Sequence, residues 1–289
     1  MAKSSMGLRA SRRAANITTY IILGLISIIW IVPFVLIVLQ SFRVESQQIV
    51  NYVIPKKWGI DNYTYLFSLQ SNFLQWYFNT FVIALIVAVL QTAMVLMMAY
   101  TLSRFRFKLR KGLMNLMLIL GMFPGFLTMI VLYNVLKMMH LTGTYGNAIW
   151  GLVLVYVASS GMGYYVCKGF FDTIPKSLDE AARVDGATRL QVFYKIIMPL
   201  SKPIIIYTVL TAFMAPWGDF IFASLVALNA PQQYNVAVGL WSWMTKELVS
   251  THYTYFCAAG VLISIPVVTL FMFLQRYYVE GVTGGAVKG

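Results

Sequence analysis

The stretch Glu180-Ala-Ala-Arg-Val-Asp-Gly-Ala187 continues as Thr188-Arg-Leu-Gln-Val-Phe-Tyr-Lys-Ile-Ile-Met-Pro199 and lies between two long apolar runs. Its charged residues cannot lie in hydrocarbon without a penalty of roughly 2.5–3.5 kcal/mol each on insertion scales. The sequence therefore predicts a polar, helical segment that a membrane protein holds in water, with a shape suited to docking against another surface.

Local signals predict two short helices in this segment. Ser177-Leu-Asp-Glu180 and Thr188-Arg-Leu-Gln191 both fit the capping-box pattern, in which a hydroxyl and a carboxylate or amide satisfy the first backbone amides of a helix. Gly186 can adopt the left-handed conformation that ends a helix, and Pro199 is expected to stop the second helix. The predicted result is a bend at Gly186.

The second helix should have an apolar face. Leu190, Phe193 and Ile197 recur at spacings of three and four residues, which place them on one side of a helix.

The composition indicates an integral membrane protein. Of the 289 residues, 60% are hydrophobic and 11% are charged, whereas a soluble domain is about a quarter charged. Six apolar runs approach the ~20 residues needed to cross a bilayer. The predicted spans are 17–40, 78–102, 113–136, 148–166, 203–228 and 255–275.

The distribution of positive charge predicts the topology. Of the 22 Lys and Arg residues, 17 fall in the segments 1–16, 103–112, 167–202 and 276–289. Under the positive-inside rule these segments are cytoplasmic, so both termini are expected inside the cell. The net charge of +13 then reflects short loops beside lipid headgroups, and no nucleic-acid partner is predicted.

Several kinds of site are not predicted. Cys167 and Cys257 fall near opposite ends of two spans, too far apart for a disulfide. His140 and His252 lack metal-ligand spacing, and no cofactor is expected. The sequence contains no Gly-Lys dipeptide and so no phosphate-binding loop of the Walker type. The chain is not expected to be an enzyme, and any ATP hydrolysis that drives it must occur on another chain.

The polar segment resembles the signature loop of ABC importer permeases, E-A-A-x-x-D-G-A followed by Phe, Ile and Pro. In that family the loop forms coupling helices that dock into a cleft of the ATPase subunit. The resemblance therefore implies ATPase coupling by Glu180, Ala181, Ala182, Asp185, Gly186, Ala187, Phe193, Ile196 and Pro199.

The resemblance also implies a fold and a domain layout. The chain would be an all-α membrane protein with six transmembrane helices in the type I importer (MetI-like) fold. Residues 1–74 would hold the N-terminus, the first span and an outside loop. Residues 75–272 would form the permease domain, with the coupling segment at 174–203, and residues 273–289 would form a cytoplasmic tail.

The C-terminal tail indicates a more specific group within this family. Gln275-Arg-Tyr-Tyr-Val-Glu-Gly281-Val-Thr-Gly-Gly-Ala-Val-Lys288-Gly289 resembles the end of the MalG-type subunit of maltose importers. In that group the tail reaches into the interface of the ATPase dimer. Composition alone fits a flexible glycine-rich end equally well.

The implied function is uptake of an oligosaccharide, maltose or maltodextrin first, by alternating access in a bacterial cell membrane. The implied partners are a MalF-like second permease, an ATPase dimer, an external solute-binding protein, the sugar and membrane lipid. Another oligosaccharide or glycoside is an alternative. A secondary transporter is a further one, but Asp219 is the only acidic residue placed inside a span. A membrane-embedded assembly or sensor protein would need no pathway at all.

Asp219 has two possible roles. A carboxylate inside a span usually faces a cavity or a bonding partner. It could therefore contact a polar substrate or bond to a neighbouring helix, and we expect the structural role.

Overall fold

The structure, a computed structural model, describes the backbone of residues 2–143, 146–159 and 161–286, and the side chains of residues 13, 15–143, 146–159 and 162–275. Helices dominate the described part. They are α1 (Ala2–Ser41), α2 (Asp61–Leu66), α3 (Phe73–Arg104), α4 (Arg110–Gly121), α5 (Gly125–Met138), α6 (Ala148–Ala158), α7 (Gly161–Asp172), α8 (Lys176–Val184), α9 (Arg189–Val192), α10 (Met198–Leu200), α11 (Lys202–Gly218), α12 (Ile221–Val226), α13 (Val236–Ser242) and α14 (Val249–Ala286). A π-helical turn, Phe193–Ile197, joins α9 to α10, and a 3₁₀ turn spans Pro231–Gln233.

Four helical stretches of the described chain are long and apolar enough to cross a membrane, and six if each of two bent helix pairs counts as one span. The four are Ala15–Ser41, Phe73–Arg104, Ala148–Asp172 and Val249–Gln275. The first, second and sixth predicted spans therefore correspond to single helices, the fourth to the stretch that holds α6 and α7, and the third to the bent pair of α4 and α5. The fifth corresponds only to the second helix of the other bent pair, α11.

The third predicted span is broken at Pro124. Helices α4 and α5 meet there at an angle of 103°, and Pro124 is the N-cap of α5 with ψ at 116°. Pro33, Pro216 and Pro266 instead lie inside continuous helices. A proline alone therefore does not decide where these spans break.

The fifth predicted span, 203–228, is too long. Helix α11 ends at Gly218, and Asp219 leaves the helical conformation with ψ at 102°. The helix that precedes this span, Arg189–Leu200, meets Lys202–Gly218 at 83°. Composition could not predict the end of this helix, because the residues after Asp219 are mostly apolar as well.

The chain divides into two compact units. The first comprises residues 1–68 and 243–262, and the second comprises residues 69–242 and 263–289. In the first unit, most apolar side chains of α1 are exposed, as expected where a helix meets lipid. Its loop is held by Asn62, whose buried side-chain amide donates to the carbonyls of Ser41 and Arg43 at 2.8 Å each.

The second unit is built around α3, which packs against α6, α7 and α11. One buried cluster gathers Ile83, Val87, Leu152 and Phe222 with their neighbours. A second cluster, towards the Arg104 end of α3, brings Tyr100 and Phe171 together with Val192, Phe193 and Ile197. The polar segment is thus fixed to the core through apolar side chains of its second half.

Candidate functional site

The bend between α8 and α9 is made by Gly186, as predicted. Its φ is +84°, a conformation that a Cβ atom disfavours by about 1 kcal/mol or more. The Gly186 N–H donates to Arg183 O at 3.1 Å and the Ala187 N–H donates to Ala182 O at 2.9 Å. These two bonds are the Schellman arrangement, which satisfies the last carbonyls of α8.

The first predicted capping box is wrong. Helix α8 begins at Lys176 with Pro175 as its N-cap, and no side chain caps it. Pro175 has φ −57° and ψ 129°, and the helix begins one residue before Ser177, the predicted N-cap. Glu180 is exposed to solvent.

The second predicted capping box is confirmed. The Gln191 N–H donates to Thr188 Oγ1 at 3.3 Å, and the Thr188 N–H donates to Gln191 Oε1 at 2.7 Å. These bonds satisfy two of the backbone amides that a helix start leaves without partners.

The second helix ends at Leu200, one residue after Pro199, so the predicted stop at this proline agrees with the structure to within one residue. A π turn precedes the proline, in which Met198 N–H donates to Phe193 O. This wider turn accommodates a proline that lacks the usual i−4 donor.

The apolar face of the second helix differs from the prediction at one position. Phe193 and Ile197 are buried, at 5% and 0% exposure, but Leu190 is 65% exposed. Val192 is buried in its place, at 2% exposure. The buried side of the segment is therefore formed by Val192, Phe193 and Ile197, which lie in the cluster with Tyr100 and Phe171.

The residues nearest the bend face solvent. Glu180, Ala181, Asp185 and Gly186 are exposed, and a Cβ atom on Gly186 would meet no other atom within 4 Å. The other residues of the sequence motif differ in burial. Phe193 is buried, Pro199 is exposed, and the half-buried ones are Ala182, Ala187 and Ile196.

Exposed apolar side chains flank the bend, and the spacing of apolar residues in the sequence did not predict them. Val184 is 88% exposed, and Tyr194, like Leu190, is more than half exposed. Together with the exposed charges they form a mixed apolar and polar surface on a segment that must lie in water. Such a surface is typical of a protein interaction site.

The polar segment is fastened to α3 by an ion pair that the sequence did not reveal. Arg104 Nε lies 2.7 Å from Asp179 Oδ2, with side-chain exposures of 4% and 14%. Arg104 Nη2 also donates to Ile174 O at 3.0 Å. Burial raises the pKa of the Asp179 carboxyl above its usual range, and the Arg104 guanidinium offsets part of that rise.

A second attachment lies at the start of α9. The Tyr100 hydroxyl donates to Arg189 O at 3.0 Å, and the Arg189 guanidinium lies 4.7 Å from the centre of the Phe105 ring. The end of α3 therefore contacts both helices of the polar segment, so a displacement of the segment would reach α3 directly.

Asp219 bonds to three neighbours across the end of α11. The Tyr156 hydroxyl donates to Asp219 Oδ2 at 2.5 Å, and the Phe222 N–H donates to Oδ1 at 3.1 Å. Asn235 Nδ2 donates to the Asp219 carbonyl at 2.7 Å. The carboxylate therefore accepts from a backbone amide in the first turn of α12 and links α12 to α6. Among the described residues, no group of three or more His, Cys, Asp or Glu side chains is arranged to hold a metal ion.

Known proteins resemble this chain over most of its length. A family model described as "Binding-protein-dependent transport system inner membrane component" matches residues 94–284. The maltodextrin transport system permease protein MdxG of Bacillus subtilis is 35% identical, over 98% of this chain and 100% of the relative. The galactooligosaccharides transport system permease protein GanQ of the same organism is also 35% identical, over 94% and 95%. The maltose/maltodextrin transport system permease protein MalG of Yersinia pestis is 36% identical, over 74% and 70%.

Solved structures share the fold. A chain of a bacterial ABC transporter involved in the import of the acidic polysaccharide alginate superposes with a TM-score of 0.76 at 20% identity, over 93% of this chain and 98% of that one. The predicted all-α membrane fold is thereby confirmed. Since the family model covers more than half of the chain, the protein belongs to the family of binding-protein-dependent transport system inner-membrane components.

Proposed function

We propose that this chain is a permease subunit of an ATP-driven importer of oligosaccharides, with maltodextrin and maltose as the leading substrates. The single observation that carries the proposal is the exposed bend at Gly186, with its φ of +84° and open space beside it. The family membership and the printed functions of MdxG and MalG support the choice of substrate. Galactooligosaccharide is a second candidate, because GanQ is as similar to the chain as MdxG.

The bend would dock into a cleft of a partner ATPase subunit. Glu180, Ala181, Asp185 and Gly186 are exposed, so they would form the contact surface with the flanking Val184 and Leu190. Ala182, Ala187, Phe193, Ile196 and Pro199 would shape the segment from within. Motion of the docked segment would pass to α3 through Arg104 and Tyr100, and the spans would then change which side of the membrane the pathway faces.

The remaining partners follow from the family. Its members depend on a binding protein, so an external sugar-binding protein would deliver the substrate. A MalF-like second permease would complete the pathway, and a dimer of ATPase subunits would hydrolyse ATP. Both termini and the segment 174–203 would be cytoplasmic in a bacterial cell membrane, because the basic residues concentrate there. The segment 75–272 would be the permease domain, preceded by 1–74 and followed by the tail 273–289.

Two substitutions test the docking surface. In importer complexes reconstituted with the partner subunits, Gly186→Asp and Glu180→Lys should abolish sugar uptake and sugar-stimulated ATP hydrolysis. The subunit itself should still insert, because both positions are exposed and a Cβ atom on Gly186 has room. Asp also tolerates positive φ better than most residues.

The matched controls are Gly112→Asp and Glu247→Lys. Gly112 also has open space beside it and lies near the start of α4, where an acidic residue is favourable. Glu247 is exposed and lies outside the polar segment. Both controls should transport normally. Normal uptake and coupled hydrolysis by Gly186→Asp or Glu180→Lys, at normal membrane levels, would refute the docking role.

A further inference from the structure

A cavity of about 260 Å³ lies among the spanning helices of the second unit, where α3, α7 and α11 meet the end of α6. Gln91 lines it from α3, which runs from Phe73 to Arg104. At 1.5 Å per residue, Gln91 lies about 20 Å from the Arg104 end and about 27 Å from the Phe73 end. The cavity is therefore close to the middle of the span, at the depth of the hydrocarbon.

Polar side chains line the cavity from three directions. They are Gln91 on α3, Ser159 after α6, and Tyr207, Thr208 and Thr211 on α11. Polar groups in spanning helices are costly against lipid, and they usually face a partner or a water-filled space. The lining residues include no Asp, Glu, Lys or Arg. The site therefore suits an uncharged polar ligand and offers nothing to neutralise an ion.

Two of the hydroxyl groups are already oriented. Thr208 Oγ1 donates to Ile204 O at 2.8 Å, and Thr211 Oγ1 donates to Tyr207 O at 2.9 Å. With the hydroxyl hydrogen directed to its own helix, each oxygen keeps lone pairs that can accept from another group. Thr211 is exposed to the cavity side of the helix surface, whereas Thr208 is 7% exposed. Thr211 is thus the better-placed acceptor for a ligand hydroxyl.

The cavity also presents an aromatic and apolar surface. Tyr207 is 39% exposed, and Val95 and Met162 complete the lining near it. A sugar ring has hydroxyl groups at its edge and C–H groups on its faces, so a site with acceptors and an exposed aromatic ring matches both. At about 30 Å³ per water molecule, the volume corresponds to about nine waters, which fits a single sugar ring.

We propose that this cavity is a subsite for one uncharged sugar ring on the translocation pathway, with Thr211 as a hydrogen-bond acceptor and Tyr207 as a stacking surface. The proposal rests on the proposed function, since it requires a sugar to pass through the membrane-spanning helices. It adds to that function a set of substrate-contacting residues contributed by this subunit.

Uptake of radiolabelled maltose into vesicles that contain the complete importer tests the subsite. Thr211→Val removes the hydroxyl while it keeps the shape of the side chain. The amount of maltose transported per ATP hydrolysed should fall about three- to tenfold, the effect of one lost neutral hydrogen bond. Thr211→Ser, which restores the hydroxyl, should transport like the parent. ATP hydrolysis without the binding protein should be unchanged in both variants.

Thr101→Val is the matched control. Thr101 is a half-buried threonine on α3 whose hydroxyl also donates to a carbonyl four residues earlier, Met97 O at 2.9 Å. It does not line the cavity, so its loss should leave the transport ratio unchanged. Equal losses in Thr101→Val and Thr211→Val, or equal losses in Thr211→Ser and Thr211→Val, would overturn the subsite.

The experiment also separates the subsite from the proposed function. If the parent complex imports maltose or a galactooligosaccharide and the Thr211→Val complex imports the same sugar equally well, the subsite is refuted and the proposed function stands. A parent complex that couples to the ATPase and imports neither sugar would overturn the proposed substrate class, and the subsite with it.

Discussion

Replacing Asp179 with Asn is expected to loosen α8 from the end of α3. The substitution leaves Arg104 buried at 4% side-chain exposure without its carboxylate partner at 2.7 Å. Removal of one partner from a buried pair costs about 3–5 kcal/mol, whereas exposed pairs contribute about 0–1 kcal/mol. Asp179 retains 14% exposure, so we expect about 2–3 kcal/mol.

Hydrogen exchange followed by mass spectrometry measures this effect directly. At about 1.4 kcal/mol per factor of ten, the loss corresponds to a 30- to 150-fold increase in local opening. The backbone amides of α8 in the detergent-solubilised complex should therefore exchange up to that much faster. Peptides from α6 should be unaffected, because they share no contact with the ion pair.

Glu247→Gln is the control for this measurement. Glu247 is exposed and lies outside the polar segment, so its neutral analogue should leave the exchange of α8 unchanged. If Asp179→Asn and the parent exchange at the same rate, the ion pair does not hold α8 against α3, and the route of coupling through Arg104 is wrong.

Three further outcomes are expected. Asp219→Asn should keep transport and sugar preference, because Asn can still bond to Tyr156 and Phe222, whereas Asp219→Ala should lower the amount of assembled complex in a pull-down. Altered sugar preference in Asp219→Asn, with normal assembly, would instead indicate a pathway role. Deletion of residues 281–289 should leave the spans inserted and weaken sugar-stimulated ATP hydrolysis; unchanged hydrolysis would mean that the tail does not dock. In a Cys-free background, an impermeant thiol reagent added to intact cells should label a cysteine at Gln232 but not at Ser4 or Ser177, and labelling at Ser177 would contradict the topology.

The tail prediction extends beyond what the structure describes. The backbone of α14 is helical to Ala286, whereas residues 287–289 and the side chains from 276 onward lie outside the described part. The role of the tail in the ATPase interface therefore remains a prediction from sequence resemblance.

The sequence by itself determined the class of protein and the place of the bend in the polar segment. In lipid, the backbone N–H and C=O groups of a long apolar run must bond to one another, and a helix satisfies them within a single segment. Local chemistry was equally decisive at Gly186, where a positive φ suits glycine, and at Thr188, whose cap needs only residues three positions apart. Such features depend on neighbours in the chain and so can be read from the chain.

Only the tertiary structure decided what depends on distant residues. The ion pair of Arg104 with Asp179 joins positions 75 residues apart, and no local pattern marks one Arg among the five basic residues of 103–112 as the buried one. The sequence likewise did not indicate the π turn at Phe193–Ile197. Phe193 and Ile197 are buried in a cluster with side chains of α3 and α7, and such burial depends on residues that are distant in the chain, so no local pattern reveals it.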